Sequence, residues 1–163
     1  MRYILRRREI VADDWAYLGE SAPEGAPLIV PLTELRANEA RWRSWPGRLG
    51  VRLMPSDAPE DLAAELPRLG VVAVEFPNAG DGRGYSQGRL LRTRLGFDGE
   101  LRAVGAGVKR DQVFLLARCG FDALELAPGE DAEAALRSLG RYSVGYQPGA
   151  AGVALARQRF PAP

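Results

Sequence analysis

The chain has 163 residues, a formal net charge of +1, 46% hydrophobic residues and 26% charged ones, the values of one globular domain able to bury a core. That balance excludes a dedicated nucleic-acid binder built on net charge, and no apolar run reaches the length that spans a bilayer. One cysteine and no histidine exclude an internal disulfide framework, an iron–sulfur cluster held by this chain alone, and the commonest neutral-pH proton shuttle and metal ligand.

At the start, "MRYILRRREI" places basic residues after apolar ones, the reverse of a secretory signal. The single cysteine makes a reducing cytoplasm the expectation. The stretch "RYILRRREIV" predicts a small β-hairpin over about 1–13, turning near Arg7. A βα core over about 26–141 follows. "APLIVPL" (26–32), "VRLMP" (51–55), "VVAVEFP" (71–77), "LRAVG" (101–105) and "ALELA" (123–127) read as short buried strands. Several are almost continuously apolar, as parallel strands covered on both faces should be.

Helical stripes fall between the strands: Leu32, Leu35, Trp42 and Trp45; then Leu62, Leu66 and Leu69. Val108, Gln112, Leu115, Leu116 and Cys119 make a third, and Ala132, Ala135, Leu136 and Leu139 a fourth. The helix after the third strand carries Arg89, Arg92 and Arg94, read as a solvated face. Cys119 is read as a buried, inert thiol. The segment 147–163 has no strong pattern and reads as a tail of a single domain spanning 1–163.

A short phrase recurs: "RLGV" at 48–51 and 68–71, "RLGF" at 94–97, "RCGF" at 118–121. Gly after an arginine-bearing last turn, then an apolar residue, is how many helices end. Gly70, Gly96 and Gly120 are accordingly expected at positive φ. Strand–helix alternation with short links predicts about five βα units in a mostly parallel sheet with right-handed crossovers. Two architectures fit: a flavodoxin-like three-layer sheet, or a compact or partial βα barrel.

Ligands of such sheets sit beyond the carboxyl ends of the strands. The longest loop there is "PNAGDGRGYSQ", after the third strand, and the next is "GAGVKRD". Gly82 and Gly84 permit close approach to the backbone. The start of a helix offers free N–H groups, Arg83 a guanidinium fork, Tyr85 and Ser86 hydroxyls. Residues 83–118 hold eight arginines and lysines against three acids. The loop thus reads as an oxyanion site, with Asp81 holding it by capping or by pairing with an arginine. Gly82, Gly84 and Gly88 also spell a variant dinucleotide fingerprint. No acid ends the next strand, "LRAVG", to hold a ribose, so no nicotinamide cofactor is expected. Trp42 and Trp45 beside arginines read as core packing at a basic helix end rather than a nucleic-acid surface.

"FPNAGDGRGYSQGRLLRTRLGFDGELRAVG" and "RDQVFLLARCGFDALEL" resemble a proteobacterial family, domain of unknown function nine hundred thirty-four. The resemblance runs from about Leu28 to Gln147. Asn78 stands where the family usually has Lys, and "GAGVKRDQ" where it usually reads G-D-V-L-R-D-Q. The genes of that family accompany assimilatory sulfite reduction, and members are labelled probable oxidoreductases of it. The resemblance implies a place in that pathway, and marks Asp81, Arg83, Tyr85, Ser86, Arg110, Asp111 and Gln112 as candidate site residues. Two readings stay open: an accessory protein that binds an anionic metabolite, with or without catalysis, or a non-enzymatic partner of the sulfite-reducing enzymes. No cofactor is evident. A borrowed flavin is the third reading, which a flavodoxin-like edge would permit.

Overall fold

The computed structural model describes residues 1–140; the expected tail at 147–163 lies outside them. Eight strands form one sheet: β1 (Tyr3–Arg6), β2 (Glu9–Ala12), β3 (Ala16–Tyr17), β4 (Leu28–Pro31), β5 (Leu49–Leu53), β6 (Leu69–Glu75), β7 (Glu100–Val104) and β8 (Ala123–Leu124). Their order is β2-β1-β8-β7-β6-β5-β4-β3. β3 to β8 run parallel, and the β1–β2 hairpin joins β8 antiparallel. The sheet is therefore mixed. The hairpin turns at Arg7 and Arg8, both at positive φ (47° and 70°), as the favoured two-residue hairpin turn requires.

The flavodoxin-like expectation is corrected by the strand order. From β3 to β8 each new strand adds on the same side of the last, so there is no reversal point. Right-handed crossovers that always step the same way leave every helix on one face. Helices α1 (Leu32–Ala37), α2 (Glu39–Arg43), α3 (Arg83–Thr93), α4 (Val113–Arg118) and α5 (Ala132–Gly140) indeed share one core with that face. Its members include Leu35, Trp42, Leu91, Leu116 and Ala135 against Val30, Val51, Val72, Val74 and Leu101.

The sheet must also curl. Laid flat, eight strands would set β2 and β3 about 34 Å apart. Yet only Asp13, Asp14 and Trp15 join them, a reach of about 14 Å. The result is a half-barrel, with helices outside and a trough inside. Trp15 fills part of the trough, packed with Ile29, Val71, Ala73 and Val104 and flanked by Tyr17.

Three expected helices differ. Leu32, Leu35, Trp42 and Trp45 do not share one helix: it breaks at Asn38, and Trp45 lies beyond α2. Leu62, Leu66 and Leu69 are not one stripe: 3-10 turns at Pro59–Leu62 and Leu66–Arg68 replace it, because Pro67 removes a donor and blocks a continuous α-helix. α4 starts only at Val113, after a 3-10 turn at Arg110–Gln112. Its Leu115 is 47% exposed, so it leaves the buried face.

The repeated phrase has two meanings. Gly96 and Gly120 end helices at φ 66° and 100°. Gly70 does not: it lies inside β6 beneath the Trp15 ring, where a Cβ would come within 3.0 Å of that ring. Gly50 likewise lies inside β5.

Candidate functional site

The carboxyl edge gathers the predicted residues around the start of α3. Asp81 occupies the turn before the helix. Its Oδ1 accepts the Arg83 backbone N–H at 3.1 Å and the Arg83 Nε–H at 3.0 Å, and its Oδ2 accepts Arg83 Nη2 at 2.6 Å. Asp81 thus both caps the turn and pairs with the arginine. This pairing holds the Asp81 carboxyl below its usual range. The Arg83 side chain is 63% exposed, and Ser86 is exposed as well.

Arg110, Asp111 and Gln112 form the 3-10 turn on the neighbouring loop. The Gln112 side chain donates to the Ala79 carbonyl at 3.0 Å, which ties this loop to the loop after β6. The Arg110 backbone N–H donates to Glu130 at 2.9 Å, while its side chain is exposed. Asp111 is exposed, and its charge acts on the Tyr85 hydroxyl.

Gly84 and Gly88 serve helix packing, while Gly82 stands in open space. Gly82 has an ordinary φ of −85°. Gly84 is buried, and a Cβ there would stand 2.5 Å from the Phe76 ring; at Gly88 it would stand 2.4 Å from the Phe121 ring. Both let α3 lie directly on aromatic side chains. Tyr85 is half-buried, its ring packed edge-on against Phe76 with centroids 5.1 Å apart, and burial pushes its hydroxyl pKa up. Of the triplet that imitated a nucleotide fingerprint, two members are packing glycines.

Arg92 is not on a solvated face. It donates to the carbonyls of Gly120, Phe97 and Gly99 at 2.9, 2.6 and 2.7 Å and pairs with Asp122 at 3.1 Å. It clamps the end of α3 to the starts of β7 and β8. Arg89 and Arg94 are exposed. Cys119 is half-buried rather than buried, and burial raises its thiol pKa.

A family model described as "Bacterial protein of unknown function (DUF934)" matches residues 50–155. The chain belongs to the DUF934 family. No curated protein matches it significantly. The DUF934 match takes in β5 through α5, hence both loops of the carboxyl edge, and leaves the β1–β2 hairpin, β3 and β4 outside it.

Sequence reasoning missed the trough of this DUF934 protein. Arg102, on β7, is wholly buried and forks onto Asp13 at 2.8 and 2.9 Å and onto Glu100 at 2.7 Å. Burial works against both charges. Even so, the mutual hydrogen bonds hold the Asp13 carboxyl below its ordinary range and keep the Arg102 guanidinium protonated. Toward the carboxyl end Arg52 pairs with Glu75, and the Tyr17 hydroxyl donates to Glu125 at 2.8 Å. The guanidinium of Arg2 lies 4.7 Å from the Tyr17 ring centre, that of Arg52 5.5 Å. Burial, then the Glu125 charge, push the Tyr17 hydroxyl pKa up. The signal available in sequence was the placement of Arg52, Glu75 and Arg102 among apolar residues on strands read as buried.

Proposed function

We propose that this protein is an accessory of assimilatory sulfite reduction that binds an oxyanion or anionic metabolite at Gly82–Ser86. One observation supports the reading most. The Asp81 carboxylate takes one backbone N–H and two guanidinium N–H groups from Arg83, at 3.1, 3.0 and 2.6 Å. That donor set is the one a sulfite, sulfate or phosphate group would use at a helix start. The chain's own carboxylate serves as a stand-in for the ligand. Because the Arg83 guanidinium is exposed, solvent screens its side of the pair, and a better-fitting anion can compete for it. Arg110 supplies a second exposed cation on the adjoining loop.

The test is calorimetric titration of sulfite, sulfate, phosphate and adenylyl sulfate into the full chain and two variants. Arg83→Ala should weaken binding about tenfold or more, the loss expected for one charge-assisted hydrogen bond. Asp81→Asn should strengthen it, because the competing carboxylate is gone. If no oxyanion binds at millimolar concentration, or if Arg83→Ala binds as well as the parent, the reading fails. Co-purification of the sulfite-reducing enzymes from sulfate-grown cells, without any anion binding, would instead support the scaffold reading.

A further inference from the structure

At the opposite end of the half-barrel a half-open cavity of about 320 Å³ lies where β5 and β6 begin. Its wall includes Trp42, Trp45, Pro67 and three arginines, Arg43, Arg48 and Arg68. No carboxylate belongs to that wall. The acids that pair with these arginines, Glu39, Asp14 and Glu65, stand outside it and fix the side chains in place. Arg68 is held further by donating to the Trp42 carbonyl at 3.1 Å, and Arg48 by lying 4.9 Å from the Trp15 ring centre. Each guanidinium carries five N–H groups, so donors remain after these contacts. The indole N–H groups of Trp42 and Trp45, two residues of this wall, are buried and have no acceptor among the described residues. The side chains of this wall thus bring three guanidinium groups and no carboxylate. The volume falls within the range of small-molecule sites and is several times that of a bare oxyanion. Tryptophan and proline rings give it a flat apolar side.

We propose that this cavity binds a planar aromatic group carrying a phosphate or sulfate. The anion faces Arg43, Arg48 and Arg68, and the ring lies against Trp45 and Pro67. The site is separate from the Asp81–Arg83 edge and does not depend on the function proposed for that edge.

The experiment follows the three tryptophan indole N–H signals by NMR in the full chain, assigned with Trp→Phe variants. Adenosine 5′-monophosphate and 2-naphthyl phosphate are titrated, with adenosine, 2-naphthol and inorganic phosphate as partial probes. At least one aromatic phosphate should bind and shift the Trp42 and Trp45 signals, at least about tenfold tighter than its parts. Arg43→Gln is the safe variant, since that side chain is 64% exposed; it should weaken binding about tenfold. Arg83→Ala should leave it unchanged. The proposal is overturned if neither aromatic phosphate shifts these signals at millimolar concentration. It is also overturned if Arg43→Gln binds like the parent, or if Arg83→Ala abolishes the shifts.

Discussion

Asp13 and Arg102 meet fork to fork across the trough, at 2.8 and 2.9 Å, with neither side chain exposed to solvent. Residues 89 positions apart therefore share the most buried ion pair of the described chain. Taking two charges out of water is costly, and the pair recovers that cost only while both members are present.

Removing one member should be worse than removing both. Asp13→Ala leaves the buried Arg102 guanidinium with Glu100 and the more distant Glu125, and about 3–5 kcal/mol of stability should go. Asp13→Leu with Arg102→Met should cost clearly less than Asp13→Ala. Urea unfolding of the three proteins provides the comparison; equal losses would mean that the pair is not coupled.

Acid should act through the same pair. The Asp13 carboxyl pKa is held below its unfolded value, so its contribution is complete above about pH 4. It is lost as pH falls through the lower folded value. Stability should drop with acid in that window, and the Asp13→Asn protein should show a shallower slope. Urea midpoints measured from pH 6 downward test this.

Arg92 should matter for folding and not for binding. Arg92→Ala strips the carbonyls of Phe97, Gly99 and Gly120 of a donor, at about 1–3 kcal/mol for each group left buried without a partner. Titration of oxyanions into Arg92→Ala should match the parent, in contrast to Arg83→Ala. A fully stable Arg92→Ala protein would remove the clamp from the account.

The glycines divide into two kinds. Gly96→Ala and Gly120→Ala should each cost about 1 kcal/mol, through left-handed backbone strain. Gly84→Ala should cost about 1–3 kcal/mol by overpacking, since its Cβ falls 2.5 Å from a Phe76 ring already boxed by Tyr85 and Phe121. A Phe76→Leu background should relieve Gly84→Ala and leave Gly96→Ala unchanged. Thermal melts read both effects.

Cys119 should react slowly with thiol reagents in the native state, because burial raises its pKa and thiolate is the reactive form. Cys119→Ala should cost about 1 kcal/mol. Rapid labelling of the folded protein would contradict this.

Much of the fold was legible because apolar runs such as "VVAVE" have few uses other than a covered strand. The order of the strands was not, because a helix crossover carries no mark of which side of the sheet it returns to. The phrase "RLG" misled for a physical reason. The same glycine serves a left-handed helix end at Gly96 and a close approach of a neighbouring ring at Gly70, and only the neighbours distinguish them. At the candidate site the loops and the Asp81–Arg83 relation could be read locally, since both residues lie on one turn. The trough could not, because Asp13, Tyr17, Arg52, Glu75, Arg102 and Glu125 meet only after the sheet has curled.

The three-residue bridge from Asp13 to Trp15 also bears on the order of assembly. During synthesis the amino-terminal hairpin leaves the ribosome first, yet its sheet partner on the other side, β8, is among the last strands made. β4 to β7 can pair one after another as each emerges, every strand joining the one before it. The hairpin must wait, tethered through Trp15 to the growing sheet, until Leu124 appears opposite Leu5. Such sequence-distant pairing is slow, and until it happens the β8 edge is an open template for other chains. The hairpin thus moves the open edge of the sheet from β8 to β2, and it can do so only after the strands between have paired.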